Sequence, residues 1–175
     1  GNAASTVTIT TGSTSDALLA TAGGAVTGNS FTVTGTAAMD AHALSGLMLT
    51  PANGKVADLH ITLAGSGLSF TDTNPGNDLI TSSGGEAIHL SNGIDTVSAG
   101  LGDTISAGAG SVFASGSQNF TFLGGLSAAD SVAGGAGGGT FTAGSGGRSV
   151  LAAGTGATTL NAAGANDTLI GGGAS

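Results

Sequence analysis

Gly93-Ile94-Asp95-Thr96-Val97 and, four residues later, Gly102-Asp103-Thr104-Ile105 decide how this chain folds. Each segment ends on one bulky β-branched residue, and Ser98, Ala99, Gly100 and Leu101 separate the two. The same unit recurs on both sides. Its central apolar residues are Ile80, Ile88, Val97, Ile105, Phe113, Phe122, Val132, Phe141, Leu151, Leu160 and Leu169, in steps of 8, 9, 8, 8, 9, 10, 9, 10, 9 and 9. Between them lie mostly Gly, Ala, Ser, Thr, Asn and Asp. One large apolar residue per nine builds no helical stripe, which needs one every three or four. A short strand followed by a tight turn uses the spacing well. Two such units make a coil of ~18 residues, each sending its central residue into a shared core. The pattern predicts an all-β chain whose residues 76–175 form a parallel β-solenoid of the two-sheet, β-roll type.

Composition agrees. Of 175 residues only 7% are charged and 3% aromatic, and mean hydropathy is +0.36. Disordered chains combine low hydropathy with high charge, so a core of small residues repeated along an axis fits better. Glycine is abundant, at 35 residues, but with two prolines and no strict triplet period the chain is not collagen-like. The formal net charge is −8, with Lys55 and Arg148 as the only basic residues. A nucleic-acid partner needs a Lys/Arg footprint, and so does an acidic membrane surface; both are excluded as partners. Metal cations and neutral surfaces remain. The absence of cysteine rules out disulfides and thiolate metal sites. No apolar run approaches the ~18 residues of a membrane helix, so membrane insertion is not expected. An acidic, cysteine-free, Gly/Ser/Thr-rich chain suits a secreted bacterial protein or one at the cell surface. Starting at Gly1 without Met, it reads as a piece of something longer.

Residues 1–75 lack the beat. Thr6-Val7-Thr8-Ile9-Thr10, Phe31-Thr32-Val33-Thr34, Leu47-Met48-Leu49-Thr50 and Leu59-His60-Ile61-Thr62-Leu63 are strand candidates. Pro51-Ala52-Asn53-Gly54 and Asn74-Pro75-Gly76-Asn77 are turn signals. Asp40 is placed to cap a helical turn over Ala41 to Leu47. A β-sandwich-like segment is expected, with irregular early coils of the solenoid as the alternative. The run Ala43-Leu44-Ser45-Gly46-Leu47-Met48-Leu49-Thr50-Pro51 resembles cadherin-like or immunoglobulin-like repeats of large bacterial adhesins.

Two positions before each beat stand Asp78, Glu86, Asp95, Asp103, Ser111, Phe120, Asp130, Gly139, Ser149, Thr158 and Asp167. With Gly76-Asn77-Asp78-Leu79-Ile80 and the two opening segments, this spacing resembles the hemolysin-type nonapeptide repeats, Gly-Gly-x-Gly-x-Asp-x-apolar-x, of proteins exported by type I secretion. The resemblance covers roughly 100 residues and implies calcium between stacked turns along one edge of the roll. Calcium takes six to eight oxygens, and only Asp78 with Asp95, and Glu86 with Asp103, place acids in consecutive turns. These four are the candidate calcium ligands. The competing reading is that such residues tie the turns by side-chain-to-backbone hydrogen bonds.

Residues beside each beat point outward. They predict a threonine ladder, Thr104, Thr121, Thr140 and Thr159, on one sheet. On the other they predict an assembly face of Thr96, Val112, Ser131, Val150 and Thr168. Uncharged faces of this kind suit another copy of the chain, a polysaccharide or an ice surface, and open solenoid ends suit stacking. Catalysis finds no support. His42, His60 and His89 form no paired-histidine motif, and no Gly-x-Ser-x-Gly occurs. The expectation is a non-enzymatic extracellular structural module. Ice binding and a calcium-dependent folding module for secretion are the alternatives.

Overall fold

The computed structural model describes residues 4–13, 16–45, 47–50, 58–65, 67–72, 75–126 and 129–173. Lys55, the turn at 51–54 and Asn74 lie outside them. The chain is nearly all β, and its stacked parallel strands form a β-solenoid of about 6 turns.

Every coil alternates between two sheets. The first sheet takes β6 (Leu59–Ala64), β8 (Leu79–Ser82), β10 (Ile94–Ser98), β12 (Ser111–Gly116), β14 (Ser131–Gly134), β16 (Val150–Ala152) and β18 (Thr168–Ile170). The second takes β7 (Ser69–Thr71), β9 (Ala87–His89), β11 (Thr104–Ser106), β13 (Phe120–Leu123), β15 (Gly139–Thr142) and β17 (Thr158–Asn161). Strand alternation sends every second side chain inward, and the parallel register lines up the inward residues. One column runs Ile61, Ile80, Val97, Ala114, Val132, Leu151 and Leu169; the facing one runs Phe70, Ile88, Ile105, Phe122, Phe141 and Leu160.

The beat therefore locates the inward column at all but one position, although Leu169, on the last strand, stays 44% exposed. Phe113 stands outward, opposite Thr96, and 50% exposed, while Val112 and Ala114 face in. The reason lies in the same coil. Phe120 and Phe122 are both fully buried there, and the Phe120 ring packs on Phe141 with centroids 4.7 Å apart. A third large ring would overfill that level, so the strand turns its two smaller side chains inward.

The parallel stack starts before residue 76, at β6. The amino-terminal strands do not pair off as a separate sandwich. Antiparallel β1 (Ser5–Thr11) lies against β6, followed by β4 (Ser30–Gly35) and β3 (Ala25–Thr27), so the first sheet has ten strands. β2 (Ala17–Ala20) and β5 (Leu47–Thr50) make a small antiparallel pair; β5 is part of the run likened above to adhesin repeats. Helix α1 (Ala37–Ser45) packs on β1, β4 and the edge strand β7, covering the first coil where the second sheet begins. It starts earlier than expected. Thr36 rather than Asp40 stands at its amino-terminal boundary, its carbonyl accepting from the Asp40 N–H at 2.9 Å. Asp40 lies inside the helix, buried, with Ser5 Oγ donating to it at 2.6 Å.

Candidate functional site: inward carboxylates and uncharged faces

Each corner of the roll brings turns of successive coils into backbone contact. Gly93, at φ 114°, shows why glycine is needed: a Cβ there would collide with the Gly76 carbonyl one coil below. Corners this tight leave stacked peptide N–H groups in need of acceptors. The acidic residues supply them.

Along the corner that enters the first sheet, each side chain accepts from the coil beneath. Asp78 Oδ1 accepts from Leu59 N–H at 2.8 Å, and Asp95 Oδ1 from Asp78 N–H at 3.0 Å. Asp130 Oδ1 accepts from Val112 N–H at 3.0 Å, Ser149 Oγ from Asp130 N–H at 3.2 Å, and Asp167 Oδ1 from Ser149 N–H at 3.0 Å. The turn-forming reading thus holds for all of these residues. Burial pushes the Asp95 carboxyl up to about 6, the nearby Asp72 charge adding to the rise, and burial also raises Asp130. Asp167 is held below the usual range, chiefly by the Ser149 N–H.

Asp78 and Asp95 also meet a third acid. Asp72, after β7, brings a carboxylate oxygen so close that one oxygen from each of the three lies within 4.8 Å of the others. All three are buried. Such a set of hard oxygen donors can hold a metal ion. Sequence reasoning missed Asp72: continued upstream the beat runs Ile61, Phe70, Ile80, in steps of 9 and 10, but Asp72 stands two residues after Phe70 and not two before it, so the spacing does not mark it.

The opposite corner brings Glu86 and Asp103 together in another way. Asp103 Oδ1 accepts from Glu86 N–H at 2.9 Å and its Oδ2 from Gly100 N–H at 2.7 Å. Glu86 Oε2 accepts from Ser82 Oγ at 2.5 Å and Gly84 N–H at 2.8 Å. Three of the four carboxylate oxygens of this pair thus accept N–H or O–H hydrogens, and the pair is not part of the three-acid cluster.

Seven of the ten acidic residues, Asp40, Asp72, Asp78, Glu86, Asp95, Asp103 and Asp130, are buried. The outer faces are correspondingly free of charged Asp, Glu, Lys and Arg side chains along the registered strands. Thr104, Thr121, Thr140 and Thr159 stand in register on the second sheet, as the spacing predicts. On the first sheet Thr96, Ser131, Val150 and Thr168 share one outward row, and Phe113 takes the place expected of Val112, which is 1% exposed. Beside it runs a longer hydroxyl row that the sequence did not reveal: Thr32, Thr8, Thr62, Thr81, Ser98 and Ser115, on six adjacent strands. It crosses from β4 through β1 into the solenoid, so no single repeat contains it.

Comparison of the chain with protein-family models, curated proteins and solved structures returns no match.

Proposed function

We propose that this chain is a non-enzymatic structural module of a secreted or surface-attached bacterial protein, one that associates with further copies through its uncharged sheet faces. The observation that carries this reading is the placement of charge. With seven of ten acids turned inward, little repulsion opposes face-to-face contact, and the outer row of the first sheet adds exposed Leu79, Phe113 and Val150. Flat, apolar-dotted faces without charge are the kind that monomers avoid. A stiff spacer, a filament or a matrix subunit would all use them. Electron microscopy of the purified chain at rising concentration tests it, with Phe113→Lys as the control. Side-by-side filaments or sheets that disappear in F113K support the reading; dispersed particles at every concentration overturn it.

A second reading rests on the hydroxyl rows. Threonines repeating at the ~4.8 Å strand spacing present a regular lattice, and ice or a polysaccharide would be the ligand. Inhibition of ice recrystallisation that is lost in Thr121→Lys would favour it. A third rests on the Asp72–Asp78–Asp95 cluster. Calcium there would join β7, β8 and β10 and couple folding to export into a calcium-rich medium. Unchanged circular dichroism with and without chelator would dismiss that reading.

A further inference from the structure

At the amino-terminal end of the ten-stranded sheet, one strand is only half covered. β4 pairs with β1 from Ser30 to Gly35, but on its other side β3 reaches only Ser30, Phe31 and Thr32. Gly23 and Gly24, at φ 111° and 85°, carry the chain away from β4 at that point, and Gly24 lies so close to the Phe31 ring that a Cβ would strike it. Val33, Thr34 and Gly35 therefore have no strand on that edge among the described residues. Beside them is a notch of about 540 Å³, walled by Gly24 and Ala25 on one side and by Ala38, Met39 and Ala43 of α1 on the other. An open strand edge between apolar walls suits an extended segment that brings its own backbone donors and acceptors together with apolar side chains.

We propose that this notch receives strand β18 of a second copy, so that copies join end to end. β18 is the other free edge of the same sheet, pairing only with β16 among the described residues, and it leaves Leu169 and Ile170 exposed. Its three residues match the three open residues of β4. Direction agrees as well. β4 runs antiparallel to β1, and β1 antiparallel to β6, so β4 points the same way as the solenoid strands of the first sheet. A copy placed along the axis without being turned over thus brings β18 parallel to β4, the pairing that each coil already makes with the next. Burial sets the frame. Val33 faces the core, so Leu169 aligns with it and Ile170 falls beside Thr34, both outward. In the other layer α1 covers the first coil where the second sheet begins, and the half-buried Leu160 of β17 is brought toward Ala38 and the exposed Met39. Neither the notch lining nor β18 holds an acidic side chain, so the net charge of −8 does not oppose the contact at its centre. The two ends differ, so the contact is heterologous, and repeated along the axis it builds an open, polar filament.

The chain has no cysteine of its own, so introduced cysteines report the contact. Neighbouring strands lie ~4.8 Å apart, within disulfide reach. Thr34→Cys and Ile170→Cys, both at exposed positions, should form a disulfide-linked heterodimer when mixed under mild oxidation, faster than either variant alone forms a homodimer. A mixture that gives no more heterodimer than the two homodimer rates predict overturns the proposal. Met39→Glu, added to the Thr34→Cys chain, is expected to keep the circular dichroism of the parent and to lose the heterodimer; an undiminished heterodimer also overturns it. The contact uses neither sheet face, so Phe113→Lys should leave the cross-link intact even where it abolishes face-to-face association. A cross-link lost in F113K would mean that the cysteines meet through the faces, and the end-to-end contact would fall.

Discussion

At Gly93 and Gly102 the same residue type does two different jobs. Both have positive φ, 114° and 80°. A Cβ at Gly93 would run into the Gly76 carbonyl, whereas at Gly102 it would meet nothing within 4 Å. Gly102→Ala should therefore cost only the left-handed backbone penalty, about 1 kcal/mol. Gly93→Ala adds a clash between stacked peptide groups and should cost more than about 3 kcal/mol, in the range reserved for strain at special backbone positions. Urea denaturation of the two variants beside the parent measures the difference. Equal midpoints would mean that the corner is looser than its geometry implies.

Strand β12 is the element whose orientation decides between two cores. If Phe113 were inward, its truncation would open a cavity; outward, it leaves the core alone. Phe113→Ala is expected to change stability by less than about 1 kcal/mol, and Phe122→Ala to cost about 3–5 kcal/mol, the usual loss for a buried phenylalanine. Similar losses at the two positions would return Phe113 to the core. The strand's frame also governs what an associating partner meets, because it places Phe113 in line with Thr96 and Ser131. Sequence alternation alone allowed either frame for Ser111-Val112-Phe113-Ala114-Ser115. The aromatic content of β13 settled which.

For the whole molecule, folding changes the charge. Glu86, lifted to about 7, Asp95, lifted to about 6, and Asp130, also raised, bind protons more tightly folded than unfolded. The sign follows from linkage: the stabilising contribution of a raised carboxyl is complete below the ordinary values near 4 and is lost as pH climbs through its raised value, about 6 for Asp95 and about 7 for Glu86. In chelator the thermal midpoint should be highest near pH 4–5 and decline toward pH 8. Asp167, with its lowered value, works in the opposite direction at lower pH, from one half-buried site. Isoelectric focusing offers an independent check. The native chain should focus above its urea-unfolded form, whose expected value is about 4.1. Coincident bands would mean that the buried acids stay ionised, balanced by something other than protons.

The β-solenoid was legible in residues 76–175 because one large residue every nine, set among Gly, Ala and Ser, leaves no other way to share a core. Asp78, Asp95, Glu86 and Asp103 were legible as corner residues for the same reason, as was the ladder from Thr104 to Thr159. In the amino-terminal third the strands around Val7, Phe31, Leu47 and Ile61 were legible, but their pairing was not. Its strands run antiparallel and take their partners from across the chain, so Thr8 meets Thr32 and Thr62 through pairings that no repeat announces. Tertiary structure alone brought Asp72 beside Asp78 and Asp95 and turned Phe113 outward. Spacing states which residues recur on a face. What each one touches depends on how the coils fill the space between the sheets.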